Sequence, residues 1–241
     1  MARPGMKVIH VPDIDYRAVC PLFTDCLREV RAWSKAHPDH VPILIIFNLK
    51  QDQIEAPGAV PLLPFDAKAM DAVDAEIRSV FKDSELITPD RVQGKHRTLR
   101  EAVLAGGWPT LKAARGKVMF AMDEPPAVTA VYRGARKSLE GRAAFINSEE
   151  AWPSAAYLTL NEPVELQARI RAAVKAGFIV RTRADADTWE ARRNDTARRV
   201  AAFASGAQYV STDYMRPDSR FGPYQARLPG GGVARPDPVG P

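Results

Sequence analysis

Apolar positions fall along the chain in two alternating patterns, short continuous runs and longer stretches with helical spacing. Lys7-Val-Ile-His10 is a short β-rich run halted by Val11-Pro12-Asp13, and Pro21 to about Ala36 then reads as a helix with proline in its first turn. His37-Pro-Asp-His-Val-Pro42 breaks that helix. Ile43-Leu-Ile-Ile-Phe47 follows as a continuous apolar run, the pattern of a strand buried on both faces in a parallel sheet, and it ends in polar Asn48-Leu-Lys50. After a proline-rich loop through Pro64, Asp66 to about Phe81 has helical periodicity with Asp66 as N-cap, and Thr98 to Ala105 offers a second short helix.

The rhythm continues in the second half. Gly116–Asp123 is an apolar strand with an acidic end, and Ala143–Ile146 is a weaker one ending at Asn147-Ser148. Asn161-Glu-Pro opens a helix that stops at Gly177. Phe178-Ile-Val180 starts a strand running on into Arg181-Thr-Arg-Ala-Asp185, Thr188 caps a helix to Ser205, and Gln208–Tyr214 is the last strand. Residues from Arg216 on, rich in proline and glycine, read as a loop-like tail over 216–241. Six strands alternate with helices, and the polar residues gather at the strands' C-terminal ends, where α/β barrels carry their active sites. The expected fold is α/β: a TIM-type (β/α) barrel of about six strands, hence incomplete, formed as one domain over residues 1–241. A doubly wound open sheet also fits the alternation, but no glycine-rich phosphate fingerprint follows the first strand.

Composition narrows the class. Of 241 residues 46% are hydrophobic and 26% charged, and no apolar run approaches the ~20 residues that span a bilayer, so a transmembrane helix, a collagen-like chain and wholesale disorder are not expected. Met1–Lys7 has no apolar segment after its basic residues, so no secretory signal is expected. The net charge of +5 mildly favours anionic partners. Basic residues are nevertheless mixed with acidic ones, as in Glu190-Ala-Arg-Arg-Asn-Asp195, without an aromatic-interleaved basic stripe, so nucleic-acid binding is not expected. No obligate protein partner is evident. Cys20 and Cys26 allow one bridge at most, or two free thiols, and lack the further cysteine and histidine pairs of a zinc site.

Lys7-Val-Ile-His-Val-Pro-Asp-Ile-Asp-Tyr-Arg-Ala-Val-Cys20 with Cys26-Leu-Arg-Glu-Val-Arg-Ala-Trp-Ser34 resembles the bacterial calcium-dependent phosphoinositide phospholipase C family. Val41-Pro-Ile-Leu, Ile87-Thr-Pro-Asp90, Gly107-Trp-Pro-Thr-Leu111, Ala114-Arg-Gly-Lys-Val118, Val180–Asp185, Asn194-Asp-Thr196, Ala204-Ser-Gly-Ala207 and Ser211-Thr-Asp-Tyr214 keep the family's order and approximate spacing. The resemblance implies a TIM-like barrel that cleaves the glycerol-to-phosphate bond of phosphatidylinositol, with the inositol hydroxyl as internal nucleophile, two histidines as general base and acid, and calcium as cofactor. It further implies peripheral contact with a membrane surface and a secreted or periplasmic setting, with which a Cys20–Cys26 bridge would agree. The match begins at what would be the third barrel strand, so the strands would correspond to the third through eighth. The family's first histidine and first calcium ligands then have no counterpart, and impaired turnover is expected.

By resemblance His10 is the second catalytic histidine; the alternative is a surface or capping histidine. Asn48 stands where the family has a strand-end glutamate and could offer calcium a carbonyl oxygen without charge. Lys50 is a phosphate contact by charge, or a solubilising lysine. Arg181, Arg183 and Asp185 alternate along one strand and so would share a face, where guanidinium forks match phosphate oxygens, unless they form an exposed salt-bridge ladder. Asp213, like Asp123, ends a strand and could hold a substrate group or a neighbouring cation. His10, Asn48, Lys50, Arg181, Arg183 and Asp213 are expected to converge at the sheet's C-terminal end. His37, His40 and His96 read as solvent-exposed, and Trp108 and Trp189 as core. Besides phospholipase C-like diester cleavage, a glycerophosphodiester phosphodiesterase fits, since its strand-end Glu-x-Lys is similar to Asn48-Leu-Lys50. A non-catalytic inositol-phosphate or lipid-headgroup binder fits as well.

Overall fold

The structure, a computed structural model, describes residues 3–239. In chain order its elements are α1 (Phe23–Ala36), β1 (Ile43–Phe47), α2 (Ala67–Val80), a 3₁₀ turn (Asp83–Glu85), α3 (Pro89–Gln93), α4 (Leu99–Leu104), α5 (Leu111–Ala114) and β2 (Val118–Met122). They continue with α6 (Pro126–Arg133), β3 (Ala144–Ile146), β4 (Tyr157–Thr159), α7 (Gln167–Lys175), β5 (Ile179–Arg183), α8 (Trp189–Arg193), α9 (Ala197–Ala204) and β6 (Tyr209–Ser211). The chain divides into two compact units, one from the residues up to Gly94 with Trp108–Asn147, the other from Lys95–Gly107 with the residues from Ser148 on.

The mixed α/β class with parallel strands is as expected, but the strands hydrogen-bond as two sheets of three, β1-β2-β3 and β4-β5-β6, and no closed barrel forms among the described residues. In the first unit Ile43 faces Val118 and Phe47 faces Met122, while Met122 in turn faces Ile146. All of β2 is buried, as its unbroken apolar run requires. The Asp66 carboxylate caps α2 by accepting from Ala69 N at 2.8 Å, and Met70, Val73 and Ile77 recur at helical spacing on its buried face.

Two strand assignments change. Lys7–His10 is not a strand: Lys7 makes one antiparallel bridge to Leu22, and Val11 and Asp15 close a tight turn with Asp13 at φ 61°. Pro12 has no N–H to extend a ladder, so pairing ends there. The sixth strand is instead β4, the end of the apolar run Ala155–Leu160 that precedes Asn161-Glu-Pro. The helix expected from Thr188 to Ser205 divides into α8 and α9, because Asn194 takes the left-handed conformation (φ 50°) and the Asp195 carboxylate accepts from Ala197 N at 2.9 Å. The helix ending at Gly177 begins late, at Gln167. Gly177 itself has φ 94°, and a Cβ there would lie 2.9 Å from the Val103 carbonyl oxygen, so glycine is required. Cys20 and Cys26 are bridged, with Cα atoms 5.4 Å apart. No helix among the described residues is long and apolar enough to cross a membrane.

In the first unit a buried carboxylate ties α1 to the 3₁₀ turn. Glu85 accepts a fork from Arg31 at 2.8 and 3.0 Å, an ion pair from Lys35 at 2.5 Å and the Lys82 N–H at 2.9 Å. The Arg31 hydrogen bonds, opposed by burial, bring its pKa down from 4.5 to about 2. A carboxylate depressed on folding stabilises above its unfolded pKa and loses that stability as pH falls through its folded one. Urea denaturation at stepped pH should therefore show stability falling between about pH 4.5 and 2. Glu85→Gln should flatten that slope and cost about 2 kcal/mol at neutral pH, the exposed Lys35 adding little. An unchanged slope in the variant would reject this role.

Candidate functional site

Each unit carries polar residues at the C-terminal end of its sheet. In the first, β1 ends at Phe47, whose carbonyl accepts from Asp123 N at 3.1 Å, so the residues after β1 and β2 lie side by side. The Asn48 side-chain amide donates to the Asp123 carbonyl oxygen, and Leu49 N donates to the Glu124 carboxylate. Burial raises the Glu124 pKa against the opposing effects of the Leu49 N–H and the Lys50 charge. β3 joins the same rim through Asn147 N, 2.8 Å from the Met122 carbonyl oxygen. Asn48, Lys50, Asp123 and Glu124 thus form one polar edge. Glu124 was missed in the sequence because two prolines follow it, a pattern that reads as plain loop.

His10 lies on an exposed turn, not at a strand end. Its Nδ1 pairs with Asp15 Oδ2 at 3.0 Å, and its backbone N donates to the Asp15 carbonyl at 3.1 Å. The same turn is tied to the segment after β1 by Val60 N donating to Asp13 Oδ2 at 2.9 Å. No hydrogen bond or ion pair joins His10 to Asn48 or Lys50 among the described residues. His37 and His96 are exposed as expected. His40 is not: it is half-buried, with Nε2 2.7 Å from Ser34 Oγ and Nδ1 2.6 Å from the Val41 carbonyl oxygen.

In the second unit Arg181 and Arg183 share the β5 face opposite Val180 and Thr182, which are fully buried. Parallel register sets Thr159 beside Arg181 and Ser211 beside Arg183, giving that face polar neighbours. Arg181 donates to Asn161 Oδ1 and to Ser211 Oγ, both at 2.6 Å. Arg183 pairs with Glu162 Oε1 at 2.9 Å, and Arg198 holds the other Glu162 oxygen at 2.7 Å and Glu190 at 3.0 Å. These arginine hydrogen bonds outweigh burial and lower the Glu162 pKa. Asn161, Glu162 and Arg198 were missed because their partners lie far along the chain; the helix-opening Asn161-Glu-Pro was read only as a cap.

β5 ends at Arg183, and the buried Asp185 turns to accept from Thr212 Oγ1 at 2.6 Å, Asp213 N at 2.8 Å and Tyr224 Oη at 3.2 Å. These bonds join the loops after β5 and β6. Asp213 is exposed and forms no ion pair among the described residues. Trp108 packs on Phe145 with centroids 5.3 Å apart, whereas Trp189 is 61% exposed and not core. Of the residues expected to converge, His10, Asn48 and Lys50 belong to the first unit and Arg181, Arg183 and Asp213 to the second.

Calcium takes six to eight hard oxygen ligands, several of them charged. Asn48, Asp123 and Glu124 bring oxygens of the right chemistry, but among the described residues no group of three or more histidine, cysteine, aspartate or glutamate side chains is placed to hold a metal ion. With Lys50 beside Glu124, these residues do not by themselves make a calcium site.

The family model described as phosphoinositide phospholipase C, Ca²⁺-dependent, matches residues 1–238. Among solved structures, the chain is similar to a Ca²⁺-dependent phosphatidylinositol-specific phospholipase C from Streptomyces antibioticus, with TM-score 0.58 and 22% identity over 82% of this chain and 72% of that one. It is also similar to a calcium-dependent phosphoinositol-specific phospholipase C from a Gram-negative Pseudomonas species, with TM-score 0.51 and 20% identity over 66% of this chain and 58% of that one. No curated protein sequence matches the chain.

Proposed function

This chain belongs to the family of calcium-dependent phosphoinositide phospholipases C, and we propose from that premise that it cleaves the glycerol-side phosphodiester bond of phosphatidylinositol, releasing diacylglycerol and an inositol phosphate. The observation that carries the reading is the family match over residues 1–238. The barrel arrangement of the strands and contact with the lipid surface belong to the same proposal.

In the proposed reaction the inositol hydroxyl gives up its proton to water and attacks phosphorus, the bond from phosphorus to the glycerol oxygen breaks to leave a cyclic inositol phosphate, and the leaving glycerol oxygen takes a proton from the enzyme to give diacylglycerol. His10 suits that donation, because Asp15 pairs with Nδ1 and the side chain is otherwise largely exposed. Arg181 and Arg183 suit the phosphate and ring hydroxyls: each has a planar fork, and Asn161, Ser211 and Glu162 fix its direction. Lys50 adds positive charge, Asn48 an amide oxygen, and Asp213 an exposed carboxylate able to accept from a ring hydroxyl. Calcium is the family's cofactor, and no step here is assigned to it.

Titration calorimetry with inositol phosphate tests the recognition half. Arg183→Ala should weaken binding about 10- to 100-fold, as expected for losing a charge-assisted hydrogen bond, and Arg181→Lys should weaken it less because the charge stays. Wild-type affinity in both variants would reject the assignment.

A further inference from the structure

In the second unit, α9 and the chain that follows β6 enclose a cavity of about 510 Å³. Arg199, Val200 and Phe203, at helical spacing i, i+1 and i+4, line it from α9, and Gln225, Arg227 and Leu228 line it from the later segment. That segment is fastened at both ends. Ala226 N donates to the Tyr214 carbonyl at 2.8 Å, the Arg199 guanidinium donates to the Gln225 carbonyl, and Gly231 N turns back onto the Leu228 carbonyl at 2.9 Å. Gly231 has φ 78°, and a Cβ there would lie 2.6 Å from Arg227 Nη2, so the glycine leaves room for that guanidinium over the turn. The cavity shares no residue with the arginine face of β5.

Hydrocarbon and positive charge meet in it, and none of its described lining residues is acidic. Val200 is 58% exposed, and Phe203 and Leu228 are half-buried. Arg199 donates to a carbonyl and lies 5.5 Å from the Tyr224 ring centroid, while Arg227 forms neither a hydrogen bond nor an ion pair among the described residues. Close by, Arg235 donates to the Phe203 carbonyl with its guanidinium 5.9 Å from the Phe203 ring centroid. None of these three arginines pairs with a carboxylate among the described residues, whereas Arg198 holds Glu162 and Glu190 and Arg220 holds Asp218. A guanidinium offers five donors in a planar fork that matches an oxyanion, and so both lining arginines keep donors for one. The volume lies within the range of small-molecule sites, roughly 300–1,000 Å³.

We propose that this cavity binds a small organic anion, a carboxylate or phosphate carried on an apolar body, with Arg199 and Arg227 on its oxygens and Val200, Phe203 and Leu228 against its body. Charge and surface choose this occupant together. A neutral ligand would leave both guanidiniums without an acceptor, and inorganic phosphate would leave the apolar lining wet. The proposal goes beyond the phospholipase reading and stands whether or not that reading does.

Titration calorimetry of the full chain with naphthoate, naphthyl phosphate, neutral naphthalenemethanol and inorganic phosphate tests it. The organic anions should bind at least about tenfold more tightly than the alcohol or inorganic phosphate, the margin of a charge-assisted hydrogen bond. Whichever organic anion binds more tightly names the head group, and either order supports the site. Arg227→Ala should weaken both about tenfold, since that guanidinium has no other task among the described residues. Val200→Asp, which sets a carboxylate among the arginines, should weaken them at least as much, while the uncharged Val200→Asn stays within about threefold of wild type. Both positions are exposed, so the variants should keep the wild-type Tm, and saturating inositol phosphate should leave naphthoate affinity unchanged. Equal binding of the alcohol and the anions, no heat from either anion, or wild-type affinity in both Arg227→Ala and Val200→Asp would overturn the proposal. So would displacement of naphthoate by inositol phosphate, which would move the probe to the arginine face of β5.

Discussion

Asp74→Ala should remove about 3–5 kcal/mol of stability, lowering Tm by roughly 10 °C in calorimetry. Asp74, on α2, accepts the Tyr132 hydroxyl and Ala143 N (3.0 Å) on one oxygen and Arg142 Nη1 (2.9 Å) on the other. The Tyr132 oxygen accepts in turn from Ala144 N at 3.0 Å, and the Arg142 guanidinium lies 4.4 Å from the Tyr132 ring centroid. Arg142 is 3% exposed and Tyr132 fully buried, so truncating Asp74 strands a buried cation and an orphaned N–H together. Asp71, the remaining carboxylate on Arg142 at 2.7 Å, has a side chain 67% exposed and offsets little. Tyr132→Phe should cost less, about 1–2 kcal/mol, because Asp74 and Arg142 remain paired. A ΔΔG below about 1 kcal/mol for Asp74→Ala would show that the network contributes nothing to holding α2 and α6 at the start of β3.

Neither half of that network was read in the sequence, and the reason is physical. Helical spacing in Asp66–Phe81 shows which face of α2 is apolar, but the pairing of a buried aspartate with an arginine 68 positions away leaves no local trace. Local signals were strong where the apolar run is continuous: Ile43–Phe47 became β1, half-buried along its length, the run within Gly116–Asp123 became the fully buried β2, and Asp66 and Thr98 became caps. They were weak where a strand is only three residues long, as in β4, or where turn chemistry outranks β-propensity, as at Lys7–His10 before Pro12. The helix break at Asn194 was available from Asn-Asp-Thr, whose side chains favour the left-handed conformation and a new cap.

The site was legible to the same degree. Alternation placed Arg181 and Arg183 on one face, but extending it to Asp185 assumed a strand two residues too long. Asn48 and Lys50 fell at the strand end as read, while Glu124 escaped because nothing in Asp123-Glu-Pro-Pro marks a carboxyl whose pKa is raised by burial. His10 stood out through its matched block, yet its setting in a turn, oriented by Asp15, depends on a contact five residues on.

A histidine that protonates the leaving glycerol oxygen supplies about 10²–10⁴ in rate, so His10→Ala should lower kcat by that factor with little change in KM. The stability of the variant should not change, since the ring is exposed and its pair with Asp15 is solvent-screened. Equal loss in KM alone would assign His10 to binding.

Phosphorus NMR and lipid extraction of phosphatidylinositol vesicles incubated with the protein and calcium test the central claim most directly, because they identify which bond to phosphorus breaks. Cleavage on the glycerol side yields diacylglycerol and inositol phosphate in equal amounts, and this is the predicted result. Phosphatidate with free inositol, or no product while the vesicles are bound, would contradict it.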